Sequence, residues 1–276
     1  MSEAPAQEPT PPVVPEPLPP PKTGSRTAIY LTLFVILLAA GAVVWFLRFN
    51  TSTPILTFYP SQQLVSADWA GYTVSSDLAS PQPVVTAVRG SWTVPEVSTS
   101  AESYSAAWVG IGGQYDESLI QTGTEHSWVN GQARYLAWYE LLPADAVYLN
   151  MTLTPGDAVT ASVTLQDSAS DTWLVKIRNL SNNQAYQRSF QYSSTKLSAG
   201  WIVERPTINR VQYPLANFGN LTFTDCSAIV EGKTGGITSF PHSIVYLRGR
   251  MTNDLVSISN VSADGAAYTI SFVSPR

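Results

Sequence analysis

Residues 158–180 read AVTASVTLQDSASDTWLVKIRNL. In the first half Val159, Ala161 and Val163 alternate with Thr160, Ser162 and Thr164; in the second, Trp173, Val175 and Ile177 alternate with Lys176 and Arg178. A period of two sends the two sets to opposite faces of an extended chain, so the stretch reads as two half-buried strands. The pattern recurs outward on both sides. Before it stand VVTAVRGSWTV (84–94), ARYLAWYELL (133–142) and YLNMTLTP (148–155). After it stand AYQRSFQYS (185–193), GWIVERP (200–206), GNLTFTDCSAIV (219–230), SIVYLRGRM (243–251) and AAYTISFV (266–273). Between them lie the clusters TPGD (154–157), NLSNN (179–183), KTGG (233–236) and SADG (262–265), whose residues suit chain reversals. No stretch holds an amphipathic 3.6-residue period as well as these hold a period of two. Many short strands without a fixed repeat make one all-β domain, a sandwich or a barrel.

Composition narrows the function. Of 276 residues, 44% are hydrophobic and 13% charged, about half the usual charged fraction. The 15 Lys and Arg stand against 20 Asp and Glu, for a net charge of −5. No basic run could follow a phosphate backbone, so nucleic acid is not expected as a partner. Cys226 is the single cysteine, which excludes an intramolecular disulfide and a multi-cysteine metal site. The two histidines, His126 and His242, are far apart and lack an HExxH context. Each reads as a surface or hydrogen-bonded residue, and no metal or cofactor is expected.

Ahead of the β-rich region the chain changes character twice. Residues 1–26 are Pro-rich, with the run PTPPVVPEPLPPPK, and read as an extended, disordered tail. Residues 27–47, TAIYLTLFVILLAAGAVVWFL, carry no charge and are bracketed by Arg26 and Arg48. At 1.5 Å per residue such a helix spans the roughly 30 Å hydrocarbon core, and Tyr30 and Trp45 fall near the interfaces. This reads as an uncleaved transmembrane anchor. Lys22 and Arg26 set the tail in the cytoplasm and the rest outside, a single-pass protein of the cell membrane. Residues 48–66 read as a stalk and residues 67–276 as the folded domain, expected to be monomeric. The sequons at Asn150, Asn179, Asn220 and Asn260 matter only in a glycosylating host.

Most signatures of catalysis are missing. There is no GxSxG; Gly232-Lys233-Thr234 lacks the upstream glycine of a phosphate loop, and Gly110-Ile111-Gly112-Gly113 lacks the third glycine of a dinucleotide site. What remains is carboxylates, an amide and aromatics: Trp69, Trp108, Trp138, Tyr139 and Trp201 in strand-like segments, with Gln121, Glu125, Glu140 and Glu204 nearby. On strand alternation Ile202 and Glu204 share one face, Trp201, Val203 and Arg205 the other, and Leu119 shares a face with Gln121. A carboxyl walled by aromatics has its pKa raised by desolvation and can serve as base or acid. An amide can donate to an oxyanion without titrating. Pattern alone also fits plain inside–outside alternation of Trp and Glu.

Ordered blocks decide between these readings. AAWVGIGGQYDESLIQTGTE (106–125) resembles the W-V-G-I-x-G…L-Q-T-G segment of the glutamic peptidases, or eqolisins. ARYLAWYELLP (133–143), WIVERP (201–206) and YPLANFGNLTFTDCSA (213–228) are similar to further segments of that family, as is ADWAGY (67–72) followed by SWTVP (91–95). The resemblance implies an antiparallel β-sandwich of two long bent sheets, a lectin-like jelly roll. It implies an acid endopeptidase, acting on polypeptides and insensitive to pepstatin. It makes Gln121 and Glu204 the catalytic pair, Glu204 as general base and then acid on water and Gln121 as oxyanion stabiliser. Trp69, Trp108, Tyr139, Glu140 and Glu125 become substrate-binding residues. The chain departs from the family's pattern at Gly112, Glu125 and Leu136, where Asp is frequent, and at Arg205, where an acid is frequent.

Two rivals stand beside this reading. One is a carbohydrate-binding or glycoside-cleaving jelly roll using Glu140 and Glu204, which has no role for Gln121. The other is an inert adhesion module, which has no reason to keep both Gln121 and Glu204. The peptidase reading carries a pH expectation. An unperturbed glutamate titrates near about 4.3, so the acid limb falls at or below that value, with the maximum below pH 5. A second carboxyl, Glu125 or Glu140, supplies the alkaline limb.

Overall fold

The computed structural model describes residues 59–98, 101–249 and 253–275. The Pro-rich tail, the apolar span 27–47 and the stalk up to residue 58 lie outside the described residues. Among the described residues no helix is long and apolar enough to cross a membrane.

The domain is an all-β sandwich. One sheet has eight strands in the order β1 (Ser61–Ser66), β16 (His242–Leu247), β2 (Trp69–Ser75), β11 (Ser198–Glu204), β4 (Ser103–Gly112), β5 (Leu119–Val129), β6 (Gln132–Leu141) and β7 (Val147–Tyr148). The other runs β10 (Ala185–Gln191), β9 (Thr172–Asn179), β8 (Ala158–Asp167), β3 (Val85–Thr93), β14 (Asn220–Val230), β18 (Tyr268–Phe272) and β17 (Val256–Ile258), with β15 (Lys233–Gly235) paired on β14. A short hairpin, β12 (Thr207–Ile208) and β13 (Val211–Gln212), stands apart from both. Among the described strands every ladder is antiparallel except β1 with β16, which is parallel.

The core lies between the sheets. Trp173, Trp201 and Phe223 are fully buried there, each ring withdrawing roughly 150–250 Å² from water. Their polar handles tie the layers together, as buried donors must find acceptors. Trp201 Nε1 donates to the Arg89 carbonyl (2.7 Å) and Trp92 Nε1 to Thr124 Oγ1 (2.8 Å). The Tyr268 hydroxyl donates to the Trp201 carbonyl (2.5 Å). His126 is buried beside Thr124 Oγ1 (2.8 Å), and burial pushes its pKa down to about 3. It is a neutral core residue.

Two expectations change. The stalk does not run to residue 66, because Ser61–Ser66 is already an edge strand on β16. Its sequence, SQQLVS, is half exposed and polar, which hid it. The expected strand at 148–155 shrinks to Val147–Tyr148. Met151 and Leu153 do alternate into the core, but the Thr152 amide donates to the Gln184 side chain (2.6 Å) rather than to a ladder. Strands β4 and β5 carry no clear alternation, because nearly every residue in them is buried on both faces.

Candidate active site

The site follows from register. On the first sheet, Trp201, Val203, Ala107, Val109 and Tyr139 point into the main core. Their neighbours point the other way and form three rows on the open face. Glu204 pairs with Trp69 on β2 and Ala106 on β4, and Ala106 pairs with Glu125. The next row is Ile202, Trp108, Gly123 and Trp138. The third is Gly200, Gly110, Gln121 and Glu140. Ala106, Trp108, Leu119, Trp138 and Ile202 form a small apolar cluster of their own, with Trp69 packed against it. Gly123 leaves the room that Trp108 needs: a Cβ there would run into the Ala107 carbonyl and the Trp108 side chain.

This apolar pavement holds the polar groups. Trp108 Nε1 donates to Glu204 Oε2 (2.7 Å), and the Trp69 ring meets Trp108 edge-on at 5.0 Å. Burial pushes the Glu204 carboxyl up to about 7; the Trp108 and Trp69 donors pull it down, and the charges of Glu140 and Asp68 push it further up. Gln121, buried in its row, donates through Nε2 to Glu140 Oε2 (2.6 Å). Its Oε1 is buried without a hydrogen-bond partner among the described residues. Burial raises the Glu140 pKa, the Gln121 donor opposes this, and Asp145 adds to it. A cleft of about 310 Å³ is lined by Glu204, Glu140, Glu125, Asp145, Trp138 and Tyr148, and by the hairpin residues Thr207–Asn209.

The sheet brings Trp69, Trp108, Gln121, Glu125, Glu140 and Glu204 onto one face, and it separates Tyr139 from them. Tyr139 precedes Glu140 by one residue, so alternation turns it into the core, stacked on Tyr186 (5.5 Å) and beside Phe190 (4.8 Å); it does not bind substrate from there. Glu125 is already engaged by three donors. Its carboxylate accepts from Ser127 Oγ (2.6 Å), the Tyr148 hydroxyl (2.7 Å) and Arg134 (2.9 Å). The expectation that Glu204 titrates at an unperturbed value of about 4.3 also fails: the aromatic wall that the sequence suggested does surround it, and burial pushes the carboxyl up to about 7. Sequence reasoning missed Asp145, Tyr148 and the hairpin. Their signals were weak: the hairpin turn uses Asn209 and Arg210 at positive φ where a glycine would have marked it.

Residues 67–271 match the peptidase A4 family. Aspergillopepsin-2 of Aspergillus niger is 27% identical over 230 residues, covering 74% of this chain and 77% of that one. Scytalidopepsin B of Scytalidium lignicola is 24% identical over 236 residues, covering 80% and 84%. The crystal structure of scytalido-glutamic peptidase with a transition state analog inhibitor aligns with a TM-score of 0.64 at 25% identity, covering 75% of this chain and 99% of that one. Fold, cleft and matches together define a glutamic endopeptidase, an enzyme whose substrates are polypeptides. The chain belongs to the peptidase A4 family, which does not favour the sugar-active reading.

Proposed function

We propose that the protein is a membrane-anchored acid endopeptidase in which Glu204 and Gln121 carry the chemistry. The observation that supports it most is Glu204 itself, a carboxyl lifted to about 7 in a cleft it shares with Glu140. Glu204 takes a proton from water as the water oxygen attacks the scissile carbonyl carbon. An amide nitrogen carries two hydrogens. One from Gln121 goes to Glu140, and the other faces the developing oxyanion. Gln121 Oε1, buried without a hydrogen-bond partner among the described residues, accepts from the attacking water. As the tetrahedral intermediate collapses, Glu204 returns the proton to the leaving amine.

The Glu204 and Glu140 carboxyls interact, so the pair titrates in steps that belong to both. The active form carries one proton on the pair. In the reactive arrangement Glu140 holds it and Glu204 is the base. Loss of this proton near the elevated Glu204 value closes the window on the alkaline side. The test is the loss of turnover on substitution at Glu204 and at Gln121 in a protein that remains folded.

The mechanism needs no serine, thiol, metal or aspartate dyad. Serine reagents, thiol alkylators, chelators and pepstatin will leave proteolysis intact. Cys226 is buried and its thiol pushed up by burial, so Cys226→Ser will retain wild-type turnover; loss of activity in a folded Cys226→Ser protein would contradict the mechanism. For the anchor, protease added to intact cells will remove the domain and spare a tag on residues 1–26. The reverse pattern would invert the topology, and recovery of a soluble protein cut after residue 47 would make the segment a cleaved signal.

A further inference from the structure

The row that holds Gln121 continues in the opposite direction across the sheet. From Gln121 it passes Gly110, Gly200 and Thr73 to Ser243 and Gln62. Every member is polar or lacks a side chain, unlike the apolar row beside it. Ser243 Oγ accepts from Gln62 Nε2 (3.0 Å) and from Gln114 Nε2 (3.1 Å), the latter reaching in from the loop between β4 and β5. Thr73 Oγ1 and Gln114 Oε1 are buried there without a hydrogen-bond partner among the described residues, as is Gln121 Oε1 at the other end. Thr73 and Gln121 are only 2% and 3% exposed, which makes such orphans costly. At Gly110 a Cβ would stand 2.9 Å from Gln121 Cβ and 3.1 Å from Leu119 Cδ1, so only a residue without a side chain fits there.

We propose that this row is an extended subsite for the main chain of a polypeptide substrate, resting on the catalytic reading above. Thr73 Oγ1 and Gln114 Oε1 take hydrogen bonds from substrate peptide N–H groups, and the two glycines let the substrate backbone approach the sheet. Strands lie about 4.8 Å apart, so the three spacings from Gln121 to Thr73 cover about 14 Å, the reach of about four extended residues. The subsite is therefore used only by chains that continue about four residues beyond the scissile bond, and it reads backbone rather than side chains. A single donor bond holds the Gln114 head group on Ser243, so a substrate can displace it.

The experiment compares three quenched peptides that share one scissile bond: a hexamer, one lengthened by four residues at its N-terminus and one lengthened by four at its C-terminus. Wild type will cleave one lengthened peptide about tenfold better in kcat/KM, through KM, because remote contacts add binding. Thr73→Val and Gln114→Leu will each lose about three- to tenfold of that advantage, the worth of one hydrogen bond. Thr73→Val removes a buried orphan hydroxyl, so its Tm will not fall. An undiminished length advantage in both variants would overturn the subsite, as would equal losses on hexamer and long peptide with a lowered Tm. Failure of the catalytic pair would show elsewhere: Glu204→Gln would then turn over both lengths like wild type, whatever the length ratio.

Discussion

Glu204→Gln will leave the sandwich folded and cut kcat/KM on a peptide by about 10²–10⁴-fold, the usual worth of a positioned acid–base group. Gln keeps the shape and the acceptor for Trp108 Nε1, which lies 2.7 Å away, so structural loss is not the cause. Gln121→Ala will cost about 10²–10³-fold, mostly in kcat, because the donor acts on charge that exists only in the transition state. Combining them will cost little more than Glu204→Gln alone, since the two groups work on one step. The measurement is steady-state kinetics near pH 5, with Tm and circular dichroism recorded on each variant. Wild-type-like turnover in either single variant, folded, sinks the assignment. Glu140→Gln provides a contrast. It keeps an acceptor for Gln121 but removes the charge that pushes Glu204 up. Its main effect is to move the pH window rather than to abolish turnover.

The strands legible in the sequence were those with one wet face. β8, β9 and β14 alternate in burial, and their sequences alternate to match. The strands that matter most for catalysis were the least legible as strands. β4 and β5 have a core on one side and the paved cleft on the other, so period two is erased in SYSAAWVGIG and LIQTGTEHSWV. In the sequence they showed only as isolated strand-like positions, Trp108 in one and Leu119 with Gln121 in the other. Resemblance named Gln121 and Glu204, which the strand register sets on one face, but carried Tyr139 along with Glu140, although alternation alone would have separated neighbours. It was also silent on Arg134 and Tyr148, which clamp Glu125, because that clamp joins β6 and β7 to β5 across space. Electrostatics was least legible of all. A carboxyl's pKa depends on what surrounds it in three dimensions, and nothing in WIVERP announces that Glu204 sits on a floor of tryptophans.

That last property yields a prediction in which stability and activity move together with pH. Glu204 titrates at about 7 when folded, against 4.5 for the free group. Below about 4.5 the carboxyl is protonated in both folded and unfolded chains and contributes no pH dependence. Between about 4.5 and 7 only the folded chain holds the proton, so stability declines as pH rises, and it levels off above about 7. A difference of this size is worth about 3 kcal/mol, less whatever water in the cleft screens, since the side chain is only partly covered. Glu204→Gln removes the ionisable group. Near pH 4 its Tm will match wild type; at pH 8 it will exceed wild type, by roughly 5 °C or more for a domain of this size. Activity follows the same titration. The kcat/KM of wild type on an uncharged peptide will peak on the acid side and fall through pH 7 as the pair loses its last proton. In Glu140→Gln no second carboxyl holds a proton, so the alkaline limb will be lost and kcat/KM will instead rise as Glu204 ionises, at a lower pH than the wild-type Glu204 value because one of the charges holding it up is gone. A folded wild-type enzyme with its maximum at pH 7 or above would remove the acid mechanism. Equal stability of wild type and Glu204→Gln across pH 4–8 would show that the carboxyl is not buried as the fold places it.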